Sequence, residues 1–533
     1  MGKASTYPER KKAAMYSKIE KWQERAAGLL VILLLCVQPL YLNAERYISL
    51  TKHKFEFFVV CMICILVAVI IIWIARIARN PKLGPRERPY LADWAVLGFA
   101  IVTLLSTLFS PFKDAIRAST GVQVNLWTGV PEPDGRYDGA ITQLLYVAAF
   151  FVIAHWYKPR VRHFALFGIS ASLIGLIGVL QFYGMDFLRL WPNDLPQYRV
   201  ANFYNIFFRS TLGNVDIVST YVCVAVLLCG FLFVKMSSKW QPLWLAASAL
   251  NFWLMELANA YSGRVGVLVA MVLAIPFIVE NMKVLGKALI LASSWVAAYT
   301  LQKLFYNVLT LKNRAFDSLA PFIAICVILL AVGIFLTVRG KVSGRENPVR
   351  WKLGVLLIVV IIIAGIIGVE TLGKRDENTG RKNLIADVRD VLHGDIRDEL
   401  GTYRIYIWRN ALAAYSEHPV IGTGPDTFGH AFPAQAQGKY GENYDKAHNE
   451  YIQILICQGI LGFACYLVFL VSSSFSAVPK AFRNPMLMAV LAAFTGYCAQ
   501  AFFNISLPIA SQLLWVFAGM LANKNFREYS VGP

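Results

Sequence analysis

The sequence predicts an all-α integral membrane protein with about 12–14 transmembrane helices and one large helical loop on the extracytoplasmic side. Three observations carry this. Apolar residues make up 57% of the 533 residues and the mean hydropathy is +0.53, against about half apolar in soluble chains. They gather into runs of about 17–24, such as Phe57 to Ile74 and Leu353 to Val369, long enough at 1.5 Å per helical residue to cross roughly 30 Å of hydrocarbon. The basic residues, finally, fall unevenly between alternate connections. Leu353 to Val369 is uncharged and rich in Ile and Val. In lipid it must still be a helix, because a lone strand leaves its backbone groups unsatisfied.

Taken in order, the spans fall at about 27–44, 56–75, 92–110, 139–156, 164–183, 216–234, 241–258, 265–279, 288–304, 319–338, 353–369, 450–472, 486–503 and 509–523. Polar, basic residues precede the first run and no small-residue cleavage site follows it, so it reads as a retained span and not a cleavable signal. The organisation is a cytoplasmic basic arm at 1–26, transmembrane helices over 27–369, the large extracytoplasmic loop at 370–447, three more spans over 448–523, and a cytoplasmic tail at 524–533. All nine cysteines lie inside apolar runs and read as small core residues.

Lys and Arg number 51 against 32 Asp and Glu, a net charge of +19. With both termini inside, nearly all of that excess falls on inner segments, chiefly Arg10-Lys11-Lys12 and the stretch from Arg76 to Arg88. The charge is therefore an orientation signal that also meets anionic headgroups, and it removes the nucleic-acid reading that a pI of 9.5 invites. The protein is expected in the plasma membrane, with its chemistry on the outer face.

Three outer segments have room for a site: 110–138, 185–215 and the large loop. The loop opens with Lys374 to Gly380. Leu384 to Leu392 is amphipathic. Ile405, Trp408, Leu412 and Tyr415 mark a second helix with Thr402 as its N-cap, and His418-Pro419 stops it. A turn-rich Gly422-Thr423-Gly424-Pro425-Asp426 follows, and Ala447-His448-Asn449-Glu450-Tyr451 leads into the next span. His448 stands at the outer mouth of that helix, either as a base for a hydroxyl near neutral pH or as an anchor at the interface. Arg136, Arg209 and Arg264 each open an outer span end. Arginines there either snorkel to headgroups or converge on a lipid-linked pyrophosphate.

These residues carry a resemblance. Arg404-x3-Trp408-x2-Ala411, His418-Pro419-x2-Gly422-x-Gly424-x3-Phe428 and Ala447-His448-Asn449-x-Tyr451-x7-Gly459-x2-Gly462 resemble the signature of the O-antigen ligase and polymerase superfamily. Arg209-Ser210-Thr211-Leu212-Gly213-Asn214 and Ser262-Gly263-Arg264 resemble its two upstream arginine motifs. Two departures stand out: the family's Asn-Pro-Asn is Asn214-Val215-Asp216 here, and Gly263 separates Ser262 from the second arginine. The resemblance implies a glycosyltransferase of the GT-C type, using a glycan on undecaprenyl pyrophosphate as donor and a glycan, lipid or protein hydroxyl as acceptor. It implies no nucleotide sugar, metal or other cofactor, in keeping with the lack of an outer Asp-x-Asp pair or a glycine-rich nucleotide loop. It makes His448 the general base and Arg209 and Arg264 the pyrophosphate ligands, with Arg136, Arg404, Asn449 and Asn214 in substrate binding or support. Trp408 is expected to pack.

A lipid-linked glycan flippase or transporter is the alternative from another class, although no mid-membrane charge pattern or repeat favours it. Peptidoglycan polymerases share the architecture and use an outer acidic residue, for which Asp387, Asp390 and Asp395 are available on what reads as a solvated face. The loop, with ten basic and twelve acidic residues, is expected to be a lid delivering His448 over arginines from other spans.

Overall fold

The computed structural model describes residues 7–78, 89–116, 121–131, 136–191, 208–259, 261–309, 319–340, 348–372, 384–441 and 443–529. Lys374 to Gly380 and most of the Arg76 to Arg88 stretch lie outside them. Each predicted span falls on a helix. The first begins at Tyr7, so helix runs back through the segment assigned to the basic arm. This α1 (Tyr7–Ile32) continues through a π-helical turn, Leu33–Val37, to Gln38–Leu40. Then come α2 (Leu50–Ile77), α3 (Leu91–Leu108), α4 (Ala140–Trp156) and α5 (Val161–Phe182). A two-residue ribbon, β1 (Phe208–Arg209) with β2 (Gly213–Asn214), leads into α6 (Val215–Lys235), α7 (Gln241–Leu257) and α8 (Tyr261–Leu273). Helix α8 gives way just before Pro276 to a short turn, Ile275–Ile278, as expected of a ring that removes a hydrogen bond. The chain continues as α9 (Met282–Leu309), α10 (Ala320–Arg339) and α11 (Pro348–Leu372). The large loop carries α12 (Leu384–Leu392) and α13 (Leu400–Tyr415), and the last helices are α14 (Glu450–Phe475), α15 (Pro485–Gln500) and α16 (Gln512–Ala522).

Among the described residues ten helices are long and apolar enough to cross a bilayer, and 140–156, 261–273 and 512–522 are shorter apolar helices. The protein is an all-α integral membrane protein. Burial ranks the helices. The apolar window of α6 is 94% buried and forms the axis of the bundle, whereas those of α10 and α11 are 6% buried. Their Ile, Val and Leu side chains face outward, as they must where lipid is the solvent.

Two expectations on the loop need correction. Thr402 does not cap α13: Gly401, Thr402 and Tyr403 have φ near 62°, 62° and 65°, and no side chain caps the helix. The left-handed turn starts the regular helix only at Arg404, and periodicity does not report such a turn. Asp390 is not solvated. It is buried against Arg397, which also reaches Asp395 at 3.2 Å.

The loop is bound into the bundle through a break in α14. Gly459 takes φ 65° and ψ −172°, which ends one half-helix and starts another. The backbone of 419–424 lies in the gap. Ile460 and Leu461 donate to the carbonyls of Pro419 and Val420, while Thr423 and Gly424 donate to those of Ile456 and Cys457. A Cβ on Gly459 would stand 2.4 Å from the Val420 carbonyl carbon, and one on Gly422 would stand 2.4 Å from that of Cys457. Only glycine permits this approach and this backbone. The freed helix groups are thus satisfied inside the protein, the condition for irregular backbone at membrane depth.

Candidate active site

The N-terminus of α6 gathers the predicted residues. Arg209 reaches it through the ribbon, in which Arg209 pairs with Gly213 and Phe208 with Asn214. The motif residues between them fix the ribbon. Ser210 donates from its backbone to Gln181 at 2.6 Å and from its hydroxyl to the Ile174 carbonyl at 2.7 Å, and Thr211 donates to the Pro39 carbonyl at 2.6 Å. Lys54, fully buried, donates to the carbonyls of Gln38 and Pro39 and so closes the end of the first span beneath the ribbon. The Arg209 guanidinium is buried, 5.6 Å from the Phe182 ring and 5.7 Å from that of Trp191. Burial lowers its pKa, and Tyr47 opposes this.

Asn214 caps α6 by accepting from the Asp216 N–H at 2.8 Å, so it is a structural support. One turn on, the Ser219 hydroxyl meets that of Ser262 at 2.7 Å and accepts from the Gly263 N–H at 2.8 Å. A Cβ on Gly263 would lie 2.8 Å from the Ser219 carbonyl oxygen. The glycine that departs from the family pattern therefore lets α8 close onto α6. Asn504 ties the cluster together, donating to the Asp216 carbonyl and to Gln500 at 2.7 Å each. Arg264, the next residue, pairs with Glu256 through Nε at 3.0 Å and lies 5.0 Å from the Tyr261 ring.

His448 arrives from the opposite side. Its neighbours are pinned: the Ala447 N–H donates to Gln453 at 3.0 Å, and the Ala447 carbonyl accepts from Trp408 Nε1 at 2.9 Å. Asn449 caps α14 by accepting from the N–H groups of Tyr451 and Ile452. Between these points His448 takes φ 48°, a left-handed conformation that a non-glycine residue holds only where its surroundings enforce it. Its Nδ1 lies 3.9 Å from Asp216 Oδ2. Burial lowers the pKa of Arg404, the charge of Asp216 offsetting it only in part, and its Nη1 donates to the Gly401 carbonyl. Trp408 packs as expected, tilted against Phe503, and in addition positions the residue before His448.

Arg136 goes elsewhere. Its side chain pairs with Asp445 at 3.0 Å, and the region around it is organised by Asp426, a residue the sequence did not single out for chemistry. One Asp426 oxygen accepts from the N–H groups of Val130, Arg136 and Asp138 at 2.8, 3.1 and 3.2 Å. The other takes the buried ammonium of Lys446. Asp138 lies beside them, its pKa pushed up to about 8 by burial and by Asp426 and Glu450. Lys446 stays charged: burial disfavours the ammonium, but Asp426 and Asp138 outweigh it and raise its pKa. This network clips the loop to the segment before α4, two residues upstream of His448.

An apolar cavity of about 910 Å³ runs from Trp408, Asn449 and Phe502 down between α8, α14 and α15 to Phe277 and Ser474. At its head the groove is lined by Trp408 and by Asn449, the residue that follows His448.

Residues 315–467 match the model of a family described as O-antigen ligase. The curated proteins searched gave no match. The matched stretch takes in α10, α11, the large loop with the segment seated in the α14 break, and His448, while Arg209 and Arg264 lie upstream of it. The match covers under a third of the 533 residues, and it supports a relation to the O-antigen ligase and polymerase family, whose sequence signature falls largely inside that stretch.

Proposed function

We propose that the protein transfers a glycan from undecaprenyl pyrophosphate to an acceptor hydroxyl on the outer face of the plasma membrane, with both termini cytoplasmic and no metal ion in the reaction. The observation that carries this reading is the meeting of His448 with Asp216 in the first turn of α6, the helix that the Arg209 ribbon leads into and that Gly263, next to Arg264, packs against, while Asn449 beside His448 lines the apolar groove. A polyprenyl tail suits the groove. Its pyrophosphate suits two arginines and the positive end of α6. His448 takes the acceptor proton as the acceptor oxygen attacks the anomeric carbon from the side opposite the pyrophosphate, with inversion. Arg264 must exchange its contact with Glu256 for the phosphate, so the donor competes with that ion pair.

Alanine at Arg209 or Arg264 is expected to raise the donor KM at least tenfold in purified protein, since a charge-assisted hydrogen bond contributes about 1.5–3 kcal/mol. His448→Ala is expected to remove turnover while leaving donor affinity in place. Loss of donor affinity in His448→Ala, with both arginine variants normal, would contradict the assignment. Deleting the gene separates the two activities of the family: short lipid-linked units accumulate if a polymerase is lost, and full-length unattached polymer if a ligase is lost.

A further inference from the structure

Asp216 is where this chain departs from the family's Asn-Pro-Asn, and its surroundings show what the carboxylate is for. In the first turn of a helix an acidic side chain commonly caps the backbone. Here Asn214 takes that part, accepting from the Asp216 N–H. The carboxylate points across to the loop instead, with Oδ2 3.9 Å from Nδ1 of His448. The two side chains are 29% and 32% exposed, so water screens the pair only in part. The left-handed backbone of His448, held between a pinned Ala447 and a capping Asn449, sets where its ring leaves the chain, on the side of that carboxylate.

We infer that Asp216 is a positioning residue for His448: it holds the imidazole with its Nδ1 proton toward the carboxylate, leaving Nε2 as the base for the acceptor hydroxyl. This rests on the reading of His448 as the base. The acceptor O–H proton passes to Nε2 while the oxygen bonds to the anomeric carbon. The bond from that carbon to the pyrophosphate oxygen breaks, and its electron pair leaves with the lipid pyrophosphate. The imidazolium so formed is balanced by Asp216, which also lies within electrostatic reach of Arg404 on α13. The other charged groups nearby have partners of their own: Glu450 accepts from Tyr466 and Tyr497, Lys446 and Asp445 pair with Asp426 and Arg136, and Arg264 pairs with Glu256. The departure from the family pattern is then a gain of basicity at His448 and has no part in gripping the phosphate.

The test is the pH dependence of kcat for wild type, Asp216→Asn and Asp216→Glu in purified protein with a lipid-linked donor. An anion near an imidazole favours the protonated ring, so its removal should shift the acid limb of the profile down by about one pH unit and lower kcat about 10- to 100-fold. Donor KM should stay within a few-fold of wild type, and Asp216→Glu should recover most of the rate. An unshifted acid limb in Asp216→Asn overturns the inference and leaves the assignment of His448 standing. An inactive Asp216→Asn beside an active His448→Ala makes the carboxylate the base and overturns both.

Discussion

Consider Asp426→Asn. The wild-type carboxylate is 4% exposed and satisfies three backbone N–H groups and the ammonium of Lys446, itself 2% exposed. Asparagine keeps one oxygen, enough for most of the backbone donors, but its charge is gone and its amide N–H groups meet an ammonium. Leaving one member of a buried pair uncompensated costs about 3–5 kcal/mol. Asp138 softens this. With its pKa near 8 it is largely protonated in the native protein, and loss of the Asp426 charge removes a repulsion and lets it ionise beside Lys446. The net loss should therefore sit near 3 kcal/mol, at the lower end of that range. The loop should loosen from the segment before α4 and carry His448 out of register. Thermal unfolding of detergent-purified protein and glycan transfer are the assays. The variant should melt several degrees lower and lose most activity, and Asp426→Asn with Lys446→Met should regain part of the stability because both charges leave together. A single variant as stable and active as wild type, or a double variant less stable than the single, would refute the reasoning.

The pKa of Asp138 makes a separate prediction. An acid whose folded pKa lies above its unfolded value contributes stability that is full below about pH 4 and is lost as pH rises through about 8. Wild type should thus lose melting temperature between pH 5 and about 8 by more than Asp138→Asn, which keeps the oxygen that accepts from Gln143; parallel curves would contradict this. Gly459→Ala should fail to give folded protein, given its positive φ and the 2.4 Å approach to Val420, whereas Gly365→Ala, with nothing within 4 Å of the added Cβ, should behave as wild type in yield and size-exclusion profile.

Hydropathy made the membrane helices legible because lipid imposes one length and one backbone solution on them. The loop helices were legible from amphipathic spacing, and the stop at His418-Pro419 from proline chemistry. The break at Gly459 was not, since that glycine sits in an apolar run and its φ is set by a loop segment far away in the chain. Asp426 was hidden for the same reason: its partners are backbone N–H groups of another segment. Among the arginines, motif spacing singled out Arg209 and Arg264. It could not foresee that Arg136 pairs with Asp445, because sequence does not say which acid comes nearest. Asp216 was visible as an extra negative charge near the site, but its facing toward His448 came only from the fold.

The central claim is that His448 activates the acceptor for transfer from a lipid pyrophosphate. The most direct measurement is single-turnover transfer in purified, bilayer-reconstituted wild type and His448→Ala, with a labelled undecaprenyl-pyrophosphate glycan and its acceptor. Wild type should release lipid pyrophosphate and form a glycan product of inverted anomeric configuration. The variant should bind the donor and form none. Product formation by His448→Ala at the wild-type rate, or donor crossing the bilayer unconsumed by wild type, would contradict the account.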